Sequence, residues 1–139
     1  MKKAILGAFL ALGSVSFTLP AFAHHSFAAE YDASKPITLH GKLSKLSWVN
    51  PHGWIYVDVV NADKTVTTWA VEFGSPNALL RRGLRETDFP LGINLTVAGY
   101  LAKNGKNIIN GTSVKLPDGR SLFTGSVGTG APGDPDAAQ

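Results

Sequence analysis

Apolar and polar residues alternate along most of the chain in short runs, each stopped by turn-forming residues. Ile37, Leu39 and Leu43 alternate with Thr38, His40 and Lys42, the period-two signature of a strand with one buried face. Gly41 falls on the apolar parity and predicts a bend or a bulge. Beyond it the apolar positions Leu46 and Trp48 are even-numbered, so a bulge near Ser44-Lys45 is expected. After the turn Asn50-Pro51-His52-Gly53, Ile55, Val57 and Val59 face one way and Trp54, Tyr56 and Asp58 the other. Asn61 to Lys64 reads as a hairpin loop, and Thr65 to Phe73 as a third strand with Trp69, Val71 and Phe73 inward.

The pattern then changes period. Ser75-Pro76 is a helix N-cap followed by proline at the first helical position, and Leu79, Leu80 and Arg81-Arg82 lead to a natural stop at Gly83. Ile93, Leu95, Val97, Gly99 and Leu101 predict a fourth strand. Ile108 to Leu116 predicts a fifth, irregular at Asn110-Gly111, and Ser121 to Phe123 a short sixth piece. Three strands, one short helix and two further strands fit an all-β fold: an OB-like, five-stranded, partly open β-barrel with the helix between strands three and four. A β-sandwich accommodates the strands but leaves that helix unexplained.

The flanks read differently. Lys2 and Lys3, the apolar run Ala4 to Val15 and the small-x-small triplet Ala21-Phe22-Ala23 describe a signal peptide over residues 1–23. Its apolar run is too short for a comfortable membrane span. Residues 24–123 form the expected domain, and the glycine, proline and small polar residues of 124–139 read as a disordered tail. The chain has no cysteine, so an exported, periplasmic domain must hold by its core alone, with no disulfide and no lipid anchor. The formal charge of +3 falls to +1 once Lys2 and Lys3 are removed, which argues against a nucleic-acid partner. No membrane association is expected after cleavage.

Histidine is the residue type that adds chemistry. His24 and His25 follow the expected cleavage point, and an N-terminal His24 chelates a metal through its amine and a ring nitrogen. A third nitrogen completes a set suited to Cu(II). The amine titrates near ~8 and imidazole near ~6.5, so both become neutral ligands at small proton cost. Cleavage after Ala21 instead puts His24 third, which also favours Cu(II) through backbone nitrogens. His52 is the best third ligand, because Pro51 stiffens the turn that carries it. The plainer readings are an unstructured start for His24-His25 and, for His52, a ring bonded to the local backbone. His40 alternates onto the polar face and reads as a surface histidine.

Trp54 and Tyr56 share the outward face of the second strand, where they stack a ligand or a partner's side chain, or pack beneath Phe27 and Tyr31 of the N-terminal arm. Glu30, Asp32, Asp58 and Glu72 are the acids expected nearest the histidines. No serine sits in a Gly-x-Ser-x-Gly turn, and no nucleophile, base and oxyanion set can be assembled, so no enzyme is expected. Two functions remain: copper binding through His24, His25 and His52, or a metal-free ligand- or protein-binding module using Trp54 and Tyr56.

The run His24-His25-Ser26-Phe27-Ala28-Ala29-Glu30-Tyr31-Asp32, followed by Gly41 and Trp48-Val49-Asn50-Pro51-His52, resembles a family of small exported bacterial proteins classed as a domain of unknown function. The resemblance spans nearly the whole expected domain, stops before the tail, and implies export and a small β-domain without an activity. A fainter similarity, resting on His24 alone, is to copper proteins whose mature chain begins with histidine.

Overall fold

The computed structural model describes residues 26–127 and 129–134. The residues expected to form the signal peptide lie outside these. The chain is mostly β. Its elements are α1 (Phe27–Glu30), β1 (Tyr31–Ser47), β2 (Trp54–Val60), β3 (Val66–Glu72), α2 (Pro76–Arg81), a 3-10 turn (Glu86–Asp88), β4 (Asn94–Ala102), β5 (Ile108–Lys115) and β6 (Ser121–Phe123). Among the described residues, no helix is long and apolar enough to cross a membrane.

The six strands form one sheet in the order β3-β2-β1-β4-β5-β6, with a further parallel pairing between β3 and β5. β1 is long enough to serve two neighbours, running against β4 through Lys42 and against β2 from Lys42 onward. Gly41 stands at this handover. A Cβ there would collide with the Asp58 carbonyl and with Val57, so only glycine lets the two strands approach this closely. The parity change foreseen after Gly41 is the register shift between Leu43 and Lys45.

Alternation decides what is buried. Leu39, Leu43, Ile55, Val57, Val71, Leu95, Val97, Ile109 and Val114 fill a single core, while Trp69 packs against it only in part. Ser75 accepts a hydrogen bond from the Ala78 amide, capping α2 as its sequence suggests. The segment from α2 to the 3-10 turn adds Leu79, Leu84 and Phe89 to the same core, and the Phe89 ring packs against Trp48 and Phe73.

The expected disordered tail is corrected over residues 124–127 and 129–134. Thr124 is fully buried; its amide donates to Thr112 O, its hydroxyl to Gly111 O, and its carbonyl accepts from Gly74 N. The Arg82 guanidinium donates to Gly125 O at 2.8 Å while stacking over the Phe123 ring. Thr129 O then accepts from Phe27 N, and Ala131 packs with Phe27 and Tyr31 in a second small cluster. Glycine here serves close approach: a Cβ on Gly74 would stand 2.8 Å from Gly125 O.

Candidate functional site

The outward parity of β2 and β3 builds a row of side chains across the sheet. Trp54 pairs with Glu72, Glu72 with Asn110 across the parallel β3–β5 ladder, and Asn110 with Tyr100 on β4. Directly paired residues project from the same side of a sheet, so these four share one face. A carboxylate in the middle of such a row is ordinarily solvated. Glu72 is instead 8% exposed, because two other segments close over it.

The first is the turn before β2. The Asn50–Pro51 peptide is cis, and Gly53, the residue after His52, is tied twice to the residues that follow β3: Phe73 N donates to Gly53 O at 2.7 Å and Gly53 N to Gly74 O at 3.2 Å. These bonds set His52 beside Glu72, with Nδ1 2.6 Å from Oε1. Nδ1 is buried and its direction is not aligned on the carboxylate, so the contact is close without being a straight hydrogen bond. The ring keeps 21% of its side-chain exposure, and this belongs to atoms other than Nδ1.

The second segment is the N-terminal arm. Phe27 opens the single helical turn of α1 and Tyr31 caps its end, its amide donating to Phe27 O, and the two rings stack at 5.7 Å between centroids. Phe27 also meets Tyr100 edge-on. The Tyr31 hydroxyl donates to Glu72 Oε2, so both carboxylate oxygens are engaged, one by a phenol and one by an imidazole. Burial, then the hydrogen bond and charge of Glu72, pushes the Tyr31 phenol far above its ordinary range. Asn110 Oδ1, also buried, finds no donor among the described residues.

The arm therefore covers Tyr100, Ala102 and Ile108 rather than Trp54 and Tyr56. Those two stay half-buried, with the Lys45 ammonium 5.0 Å from the centre of the Tyr56 ring. His40 is exposed, its Nδ1 3.0 Å from Thr96 Oγ1, apart from the His52 group. His24 and His25 lie outside the described residues, and among those described no three His, Asp or Glu side chains converge as a metal site.

Glu72 was legible only as one of four acids near the histidines. Its distinguishing signal is the conflict between outward parity and a place at the strand end beside His52. Tyr31 was legible as an aromatic needing cover; its hydroxyl as the partner of that acid was not.

Residues 12–112 match the model of a family of unknown function, DUF6152. No curated protein and no solved structure matches the chain.

Proposed function

The chain belongs to the DUF6152 family, and from that premise we propose that it is an exported, periplasmic β-domain that binds one copper ion at His52, with the amine and ring of His24 as the other ligands and His25 competing. The observation carrying this reading is the Glu72 carboxylate against Nδ1 of His52. Metal-ligating histidines commonly give their second nitrogen to a carboxylate, which fixes the tautomer and raises ligand basicity. A proton on Nδ1 directed at Oε1, 2.6 Å away, would leave Nε2 to bind the metal.

Tyr31 strengthens the case by holding the other carboxylate oxygen and tethering the arm. The stacked Phe27 ring keeps the start of the arm beside this group. His24 precedes Phe27 by three residues, a span of about 10 Å when extended. The donor set of imidazole and amine nitrogens suits Cu(II). When bound, the metal supplies Lewis acidity or redox capacity; the chain's own residues orient His52 and exclude water from Glu72.

The same reading takes the fold as an OB-like, five-stranded barrel. The parallel β3–β5 pairing supports it, since that pairing joins the third strand to the fifth while β1 bridges β2 and β4.

Titration of Cu(II) and Zn(II) into protein whose first residue is known by intact mass, followed by electron paramagnetic resonance, tests the proposal. One equivalent bound with nitrogen ligation supports it. Affinity no better than that of a His-His peptide ends it and favours the second reading, a metal-free binding face at Trp54 and Tyr56. That reading rests on two half-buried rings on the face that carries Glu72, Trp54 directly opposite it and Tyr56 next along that face, opposite Ala70.

A further inference from the structure

A cleft of about 810 Å³ lies away from His52, between the ends of β2 and β5 and the starts of β3 and β4. Its size falls in the range of about 300–1,000 Å³ usual for small-molecule sites. Leu95 and Leu116, both core residues, line it along with Val60 and Val66. Those two valines are cross-strand partners at the tip of the β2–β3 hairpin and are 68% and 58% exposed. An exposed apolar pair beside an apolar lining is a surface suited to an apolar chain.

The polar lining is unevenly charged. Register places His40, Thr96 and Lys115 in one row across β1, β4 and β5, and Lys42 opposite both Asp58 and Asn94. Lys42 and Lys115 make no ion pair among the described residues. Asp58, the single carboxylate of the cleft, already accepts from the hydroxyls of Ser44 and Thr68. Two ammonium groups against one hydroxyl-bound carboxylate leave one positive charge in excess. The cleft holds no arginine fork of the kind that favours a doubly charged phosphate.

We propose that this cleft binds a small aliphatic carboxylate, its headgroup held by Lys42 and Lys115 and its chain laid along Val60 and Val66. Neither lysine nor valine belongs to the His52–Glu72 group, so the outcome is independent of metal binding.

Octanoate added to the metal-free full chain, followed by amide chemical shifts, is expected to saturate, with the shifts grouped on Lys42, Val60, Val66, Thr96 and Lys115. Lys42→Glu and Lys115→Glu, both at exposed positions, should each weaken octanoate at least tenfold. Octylamine, with the same chain and the opposite charge, should bind at least tenfold more weakly. Should either charge reversal disturb folding, Val66→Ser is expected to weaken octanoate at least threefold with the circular dichroism unchanged. Shifts scattered over the surface, equal binding of octanoate and octylamine, or variants that bind as well as the parent overturn the proposal.

Discussion

Tyr31 and Glu72, 41 residues apart, are joined by a buried hydrogen bond from the phenol to the carboxylate. It ties the N-terminal arm to the end of β3, and it makes the arm a structural part of the domain rather than a loose lead-in. Tyr31→Phe keeps the ring stack with Phe27 and removes only the donor, leaving one oxygen of a buried carboxylate unsatisfied. The expected loss is about 1–3 kcal/mol, read as a lower urea midpoint with unchanged slope.

The same pair sets an alkaline limit. The Tyr31 phenol titrates higher in the folded chain than in the unfolded one, so the folded state holds the proton more tightly. Its contribution is complete below the ordinary phenol value near ~10 and is lost as pH rises above it, by at most ~1.4 kcal/mol per pH unit. Urea melts from pH 9 to 11 should show this decline in the parent and a shallower one in Tyr31→Phe. Equal slopes would remove Tyr31 from the account.

Truncation after Phe123 is expected to lower stability by more than about 2 kcal/mol. It removes three hydrogen bonds of buried Thr124, the Arg82–Gly125 contact and the Ala131 cover over Phe27. A truncated chain with the parent's urea midpoint would mean these contacts contribute nothing.

This segment shows where sequence reading stops. Alternation in Ile55 to Val59 and the Ser75-Pro76 cap follow local rules, and strand and helix positions were legible from them. Thr124 is held by backbone groups of Gly74, Gly111 and Thr112, and Gly125 lies against Gly74. Such contacts carry no hydrophobic pattern, and glycine chosen for close approach looks the same in a sequence as glycine chosen for looseness. The site was half-legible for a similar reason. His52 announces itself through its proline turn, whereas the burial of Glu72 needs the distant Tyr31 as well as that turn.

Gly41→Ala is expected to destabilise by about 1–3 kcal/mol, because the added methyl meets the Asp58 carbonyl on the paired strand rather than a movable side chain. A control at Gly105, where a Cβ meets nothing within 4 Å, isolates the steric cost from backbone strain, since its φ is +73°. Thermal melts of the two variants check this: overcrowding at Gly41 should exceed the strain at Gly105.

Glu72→Gln is the most informative substitution for function. Glutamine keeps the shape and still accepts from Tyr31, but it takes the negative charge away from Nδ1 of His52. If His52 is a copper ligand oriented by this carboxylate, Cu(II) affinity should fall about 10- to 100-fold, the usual cost of losing such an outer partner. His52→Ala should cost at least as much, and His40→Ala, whose ring sits by Thr96, should change nothing. Binding should also weaken as pH falls through the imidazole range, because protons compete for the same nitrogens. A purely structural role for Glu72 makes a different forecast: a lower urea midpoint with Cu(II) affinity intact in the folded fraction. Measuring both quantities on each variant separates orientation of a ligand from support of the fold.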